Sequence, residues 1–411
     1  MNIPTDDLAI EARPRRVART VVLCVVLAAA AGSMAFPILP VYSLNAGVSL
    51  ALIGVILAAN RVGRIAVTPM VGTMADRIGA RRTLVMGQVL QAMAMLLYVL
   101  GIATPHPVAF FFWGRLVQGV ASACIYVSAQ ILAVRVGAGR VGGFVRAAMA
   151  AGVPLGLLLG GVLSDSFGAI AVFAGAAVAT LLGWAAATSM PTEETPQQHH
   201  SARLSQLLKQ LADKRMASVA AMSFAGSFAV HGVVMTTLSL LIDARHISLY
   251  GFGVEGTSGL MMGWMVLLIA VGSPLAGALG DRLQRHDAIA MFGLLLCVPA
   301  LAMTGLSSTA AGMCSGVALI GLSAAALGPS LLALAHAIAP PAHQAQSVGL
   351  VQLSGDVGGL LGPIVGTLLA GGDPGTPYVV SAALVLVALP AAVYIMFHRP
   401  PLQAIAAGGL G

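Results

Sequence analysis

Four arginines interrupt stretches of this sequence that are otherwise almost entirely apolar. Arg61 and Arg64 lie one helical turn apart in LAANRVGRIAVTP, and Arg115 and Arg146 stand in two later apolar stretches. An isolated charge at the centre of a membrane costs about 3 kcal/mol on insertion scales. The four guanidinium groups therefore predict a solvated cavity, and their surplus positive charge favours an anionic ligand such as a carboxylate-bearing metabolite or siderophore.

A second explanation of the arginines stays open. Arg64 would reach down to the cytoplasmic loop and Arg146 to the membrane interface, which leaves only Arg61 and Arg115 deep and the substrate charge undetermined. We assign Asn60, which precedes Arg61, to the same predicted substrate cavity. His231 joins this set, although a lone histidine is more often a hydrogen-bonded packing residue.

Asp356, in LVQLSGDVGGLLG, is the only acidic residue that we place inside an apolar stretch. A charged carboxylate is costly in a membrane, and an ionisable group there is by default a functional candidate. We therefore predict Asp356 as a proton site. The equally weighted alternative is a structural partner for an arginine or for backbone amides near the neighbouring glycines.

The composition identifies the elements that must position these side chains. The chain of 411 residues is 58% hydrophobic and 9% charged, with a mean hydropathy of +0.93, whereas soluble domains are about one quarter charged. Continuous apolar runs of about 20 residues are long enough to cross a bilayer as helices, and their continuity excludes a β-barrel. The fold class is therefore an all-α polytopic membrane protein, with twelve transmembrane helices in two six-helix bundles.

The predicted spans fall into two groups of six, separated by one long polar stretch. They are residues 20–42, 50–72, 83–103, 108–134, 141–163, 167–189, 216–242, 256–279, 287–306, 310–338, 346–370 and 376–397. The predicted domains are a cytoplasmic tail (1–19), an N-terminal bundle (20–189), a cytoplasmic linker with an amphipathic surface helix (190–215), a C-terminal bundle (216–397) and a cytoplasmic tail (398–411). A substrate site between two such repeats is the usual arrangement.

The net charge of +7 sets topology and does not indicate nucleic acid. Basic residues cluster in alternate connections, which places those connections and both termini in the cytoplasm. Only Arg245 falls in a connection on the other side. Short tails and loops favour a bacterial inner membrane.

The connection after the second span reads GTMADRIGARR, and a partial copy, GALGDRLQRHD, follows the eighth. The first resembles the signature loop of the major facilitator superfamily. The resemblance implies a cytoplasmic gating loop in which an aspartate at a helix end latches one side shut and the first glycine lets two helices meet closely. The alternative is a plain positive-inside loop. The gating residues are Gly72, Asp76, Arg77, Gly79, Arg81 and Arg82, with Gly277, Asp281 and Arg282 in the copy.

Further motifs extend the resemblance over nearly the whole chain. GRLVQGVASA is similar to a superfamily motif tied to proton coupling, which implies that role for Arg115 and Gln118. MAFPILPVY resembles the first helix of the drug:proton antiporter branch with twelve helices. AGVPLGLLLGG resembles the antiporter-type fifth helix, but Leu157 stands where that pattern has proline. The implied helix-packing residues are Pro37, Pro40, Pro154, Gly156, Gly160, Gly161, Gly362, Pro363 and Gly366.

These features together predict a proton-coupled exporter of a small organic molecule, a drug or an anionic metabolite, that works by rocking of two bundles. An uptake symporter or facilitator is the alternative, and a receptor or membrane enzyme is remote. Sequence motifs of metalloproteases, serine hydrolases and P-loop ATPases are absent. We therefore expect no catalytic residue, metal or cofactor. The expected partners are the substrate, protons and the lipid bilayer, and the superfamily usually works as a monomer.

Overall fold

The computed structural model describes residues 5–190, 210–340 and 343–398. Outside these residues lie the end of the predicted N-terminal tail (1–4), most of the linker (191–209) with the greater part of its predicted amphipathic helix, and nearly all of the C-terminal tail (399–411). The described end of the linker contains a short 3-10 turn, Gln210–Ala212, and the next helix begins at Lys214.

The described chain is almost entirely helical, and twelve of its helical segments are long and apolar enough to cross a membrane. Before the linker the helices are α1 (Thr5–Ser33), α2 (Ala35–Asn45), α3 (Leu50–Ile78), α4 (Ala80–Ala103), α5 (Pro107–Phe167) and α6 (Ala169–Thr188). After it come α7 (Lys214–Ser227), a π-helical turn (Phe228–Val234), α8 (Met235–Ala244), α9 (Val254–Leu283), α10 (His286–Leu306), α11 (Ala310–Ile338), α12 (Gln344–Leu369) and α13 (Thr376–Phe397). The prediction of twelve transmembrane helices is confirmed.

Two local features differ from the predicted spans. The first span consists of α1 and α2, which meet at Met34. Pro37 explains this break, because it has no N–H for the carbonyl of Ser33 and its ring crowds that carbonyl. The predicted loop between the fourth and fifth spans is helical, so α5 continues from Pro107 to Phe167 and contains both spans.

Two compact units divide the chain. The first comprises residues 1–201 and 238–267, and the second comprises residues 202–237 and 268–411. The boundary between residues 237 and 238 falls inside the seventh span, and the boundary between residues 267 and 268 falls inside the eighth. The predicted boundaries of the two six-helix bundles stay a prediction.

Helix α5 forms the centre of the first unit and packs against α1, α3 and α4, while α6 covers α1 and α4. Glycines permit the closest contacts. A β-carbon on Gly63 would collide with the carbonyl oxygen of Leu116, and one on Gly119 would collide with that of Asn60. Small residues let membrane helices approach closely enough for backbone contact, so α3 lies directly against α5.

In the second unit α10 packs against α11 and α13, and α12 packs against α7 and the π-helical turn. Glycines line the face of α12 that packs against these segments. A β-carbon on Gly358 would collide with the carbonyl oxygen of Phe224, and one on Gly362 with the α-carbon of Gly232. This face holds α12, the helix that carries Asp356, in backbone contact with the seventh span.

Candidate functional site

A buried polar network surrounds Arg115 inside the first unit. Arg115 is 2% exposed, and its Nη1 donates to Gln118 Oε1 over 3.1 Å while its Nη2 donates to the carbonyl oxygen of Leu57 over 3.3 Å. Tyr98 Oη donates to the same Gln118 oxygen over 2.5 Å. Gln118 Nε2 donates to the carbonyl oxygen of Gly32 over 2.7 Å. Four helices, α1, α3, α4 and α5, thus share one network.

The partners of Arg115 among the described residues are neutral. Its guanidinium also lies over the ring of Phe36, 4.9 Å from the centroid, and its buried Nε has no hydrogen-bond partner among the described residues. Carbonyl dipoles and an aromatic face stabilise a buried cation without neutralising it. Arg115 is thus held by groups of its own unit. The predicted proton-coupling role of Arg115 and Gln118 stays a prediction.

The remaining predicted cavity arginines are more accessible than Arg115. Asn60, Arg61 and Arg64 are half-buried on α3, and Arg146 is exposed on α5. Arg64 lies close enough to Tyr126 of α5 for an electrostatic interaction. Arg61 and Arg64 both have interaction partners within the protein. The contact at Gly119 sets their distance from α5, because it seats the backbone of α3 at Asn60.

Asp356 lies near the middle of α12 and is half-buried. The other acidic residues of the described spans stand within three residues of a span end: Asp76, Asp165, Asp243, Glu255, Asp281 and Asp287. At 1.5 Å per residue, Asp356 is about 15 Å from the start of its span at Gln346 and about 20 Å from its end at Leu369. Asp356 is therefore the one carboxylate of the described spans at mid-depth.

His231 lies in the π-helical turn of the seventh span and is exposed, whereas the other six residues of the turn are buried. A π turn inserts one residue and leaves backbone carbonyls without their usual partners. Thr236 Oγ1 donates to the carbonyl oxygen of Gly232, and Thr237 Oγ1 to that of Val233 over 2.9 Å. His231 is thus the exposed residue of an otherwise buried turn, and no sequence motif indicated this turn.

The predicted gating loop is a one-residue link. Gly79 joins α3 to α4 with a φ of 95°, a conformation that only glycine adopts without strain. Arg81 donates to the carbonyl oxygens of Ala187 and Thr188 at the end of α6, where a cation suits the helix dipole. Asp76 is half-buried, while Arg77 and Arg82 are exposed.

One expectation for this loop is not met. Apart from the adjoining residues and backbone of α3 itself, no atom of the described residues lies within 4 Å of the place where a β-carbon on Gly72 would stand. Close approach of two helices therefore does not require glycine at position 72 in this structure.

The second copy of the loop differs from the first, because two residues, Gln284 and Arg285, link α9 to α10. Gln284 takes the place of Gly79 with a φ of 53°, and His286 takes the place of Arg81. His286 Nε2 lies 3.0 Å from Asp281 Oδ1, and Gly280 leaves room for the imidazole ring. Arg282 is exposed, and a β-carbon on Gly277 would make only an ordinary contact with Pro329. Alignment of the two loop sequences identified Gly277, Asp281 and Arg282 in the copy but not His286.

The predicted packing residues lie at helix contacts within each unit. Gly156 and Gly160 of α5 face the backbone of α1 at Ala30 and Met34, while Gly161 faces α9. Pro37, Pro40 and Pro154 are buried inside their helices. In α12, Gly362 and Gly366 contact the seventh span at Gly232 and Val233. The carbonyl oxygen of Pro363 accepts a hydrogen bond from the hydroxyl of Thr367, one helical turn further on.

Sequence reasoning missed Tyr98, which fixes the orientation of Gln118. A tyrosine in the run MLLYVL gives no motif, because its partner lies on another helix twenty residues away. The four cysteines are free. Among the described residues no cluster of His, Cys, Asp or Glu has the makings of a metal site.

A family model described as Major Facilitator Superfamily matches residues 21–256 and 252–409. No curated protein matches the chain.

Several solved structures of transporters are similar to this chain. The nucleoside transporter NupG is 14% identical with a TM-score of 0.76, and the match covers 92% of this chain and 99% of that one. A bacterial homologue of the human lysosomal transporter Spinster, inward-facing and occupied, is 15% identical with a TM-score of 0.74, covering 95% and 98%. The human organic anion transporter MFSD10 is 18% identical with a TM-score of 0.62, covering 92% and 99%. At these identities the likeness establishes the fold alone.

Proposed function

Because the chain belongs to the major facilitator superfamily, we propose that it exports a small organic molecule in exchange for protons. The protein is a multi-pass membrane transporter of the secondary type. Proton coupling, export and an anionic substrate are the proposed refinements. Each of them rests on particular residues.

The position of Asp356 is the observation that carries the proton-coupling proposal. A carboxylate about 15–20 Å from either end of its span is costly to place in a membrane, and an ionisable group at that depth is by default a functional candidate. Half-burial leaves it accessible to protons, and the glycines on either side hold its helix against the seventh span. A group that exchanges a proton during each cycle needs both access and a fixed helix.

The arginines support an anionic substrate. Arg61, Arg64 and Arg146 are partly or fully accessible within the first unit, and positive side chains lining a solvated chamber raise the local concentration of anions. One of the similar structures belongs to an organic anion transporter, although at that identity it speaks only for the fold. A cationic drug would favour a buried acid in the chamber.

Export and the drug:proton antiporter branch are favoured by the sequence of two helices. Pro37 and Pro40 lie in α2, and the glycines of α5 pack against α1 as in the antiporter-type motif. We propose that a monomer works in a bacterial inner membrane with both termini in the cytoplasm. Its two bundles would rock about a central site, with the loop at Gly72–Arg82 as the gate on the cytoplasmic side.

The test of coupling uses proteoliposomes with a pH-sensitive dye in the lumen and a panel of probes: a nucleoside, an organic carboxylate and a cationic dye. Addition of a transported probe should change the lumenal pH in the wild-type protein. Asp356→Asn should abolish this pH change yet retain exchange of labelled for unlabelled probe. Asp373→Asn changes a carboxylate in the connection that follows this helix, and this matched control should behave as wild type. Full proton movement with Asp356→Asn would exclude Asp356 as the proton site.

The direction is tested separately in inverted membrane vesicles. An acidic lumen should drive accumulation of the transported probe if the protein is an exporter. Accumulation driven by an alkaline lumen would identify an uptake symporter, and accumulation to equilibrium without response to the gradient would identify a facilitator.

A further inference from the structure

The C-terminal end of α5 and the N-terminal end of α9 are joined by a contact that the proposed function does not use. Both ends belong to the first unit. Asp165, two residues before the end of α5, accepts a hydrogen bond through Oδ2 from the backbone N–H of Gly256, over 3.0 Å. We propose that Asp165 and the glycine contacts beside it form a latch that holds these two helix ends together.

The first turn of α9 lacks a cap of its own. The N–H of Thr257 donates to the carbonyl oxygen of Gly253 over 3.0 Å, so Gly253 is the residue at the N-cap. Glycine has no side chain to accept from the N–H two or three residues on. Gly256 is buried, and its N–H would lose its partner without Asp165. The carboxylate of another helix thus replaces the missing cap.

The partial charges of the two helix ends favour the Asp165 carboxylate at the start of α9 over the end of its own helix. A carboxylate in the last turn of α5 is disfavoured by the dipole of its own helix, and that turn has no basic residue. The N-terminal end of α9 carries the opposite partial charge. The dipole of α9 and the hydrogen bond from Gly256 therefore favour Asp165 at this contact, while the like charge of Glu255 in the same turn opposes it.

A glycine-lined contact continues below the carboxylate at intervals of four residues. A β-carbon on Gly161 would collide with the carbonyl oxygen of Glu255, and one on Gly259 would stand 2.5 Å from that of Leu157. Leu157, Gly161 and Asp165 share one face of α5, since they lie four residues apart. The helices can approach this closely only without side chains at Gly161 and Gly259.

The connection from α8 to α9 is also ordered around this contact. Thr257 Oγ1 accepts from the N–H of Leu249 over 3.1 Å and donates to the carbonyl oxygen of Phe252 over 3.3 Å. Ser248 Oγ donates to the same carbonyl over 2.8 Å. The start of α9 is therefore a fixed partner for Asp165. In the transport cycle proposed above, separation of these ends would be one gating step, but the latch itself does not depend on that proposal.

The test measures hydrogen–deuterium exchange of the full chain in lipid nanodiscs. Asp165→Ala should raise the exchange rate of the first-turn amides of α9 about fivefold or more, because the N–H of Gly256 loses its acceptor. Asp165→Asn keeps an acceptor without the charge and should give a smaller rise. Asp373→Ala is the matched control: Asp373 accepts from the N–H of Gly375 over 3.1 Å before α13, and its loss should leave α9 unchanged.

A second readout distinguishes a latch from a local cap. Ser258→Cys places a thiol at a fully buried position of α9, and the four native cysteines are buried or half-buried. Maleimide labelling of this thiol should rise several-fold with Asp165→Ala and with Gly161→Ala, but not with Gly175→Ala, where a β-carbon meets open space. Unchanged labelling in both variants, or a rise in exchange confined to the Gly256 amide, would overturn the latch.

Neither result depends on a substrate. Loss of proton coupling in Asp356→Asn would leave the exchange and labelling data as they are. Absence of any proton-coupled transport would likewise refute the proposed function without touching the latch.

Discussion

Replacement of Gln118 by leucine is the most direct test of the network around Arg115. The side chain makes three hydrogen bonds, accepting from Tyr98 and Arg115 and donating to the carbonyl oxygen of Gly32. Leucine has a similar size but no polar atom, so Tyr98 Oη loses its acceptor and Arg115 keeps its hydrogen bond to the carbonyl oxygen of Leu57. A buried polar group left without a partner costs about 1–3 kcal/mol.

The expected loss of unfolding free energy for Gln118→Leu is about 2–4 kcal/mol, since two donors and one carbonyl lose their partner at once. Tyr98→Phe removes a single hydrogen bond and should cost about 0.5–1.5 kcal/mol, near the values found for interhelical bonds in membranes. The double variant should be less destabilised than the sum, because the hydroxyl orphaned by Gln118→Leu is then absent. We expect a coupling energy of about 1 kcal/mol.

The assay is thermal unfolding in detergent, followed by size-exclusion chromatography of the fluorescently tagged protein. Gln88→Leu is the matched control: Gln88 is a buried glutamine of α4 whose Nε2 donates to the carbonyl oxygen of Cys24 over 3.1 Å. It should be destabilised by less than Gln118→Leu, and its effect should add to that of Tyr98→Phe. Additive effects of Tyr98→Phe and Gln118→Leu would refute the shared network.

Two further predictions concern glycines. Gly119→Ala should lower the melting temperature, because its β-carbon collides with the backbone of Asn60 at a cost of about 1–3 kcal/mol, whereas Gly143→Ala on the same helix meets open space and should be neutral or stabilising. Equal effects of the two would contradict the close approach of α3 to α5. Gly79→Ala should also destabilise the protein, by about 1–3 kcal/mol, because its φ of 95° strains any side chain. Gly72→Ala in the same loop should raise stability by up to about 1 kcal/mol, and a loss there would show a contact absent from this structure.

The outline of the fold was accessible from the sequence because a bilayer imposes it locally. An apolar run of about 20 residues has to form a helix to satisfy its backbone, so the twelve spans follow from hydropathy. Their edges were less certain. The break at Met34 depends on one proline, and the unbroken course of α5 through residues 134–142 was hidden by glycines that read as a loop.

The candidate site was accessible only in part. The charged residues of the apolar stretches stood out by type, and Asp356 is at mid-depth as expected. Their partners did not stand out. Tyr98, Thr236 and Thr237 are ordinary residues of apolar runs, and they matter because another helix or a π turn presents a group to them.

The sequence by itself determined the class of protein, the number of membrane crossings and the residues that could carry charge. These properties depend on neighbouring residues and on the thickness of the bilayer, which are the same whatever the helices later contact. Only the tertiary structure decided that Arg115 is enclosed by neutral partners, that His231 is exposed in a π turn and that Asp165 caps α9. Each of these depends on a helix distant in the chain or on one inserted residue in a turn. The hydropathy of a sequence predicts neither of them.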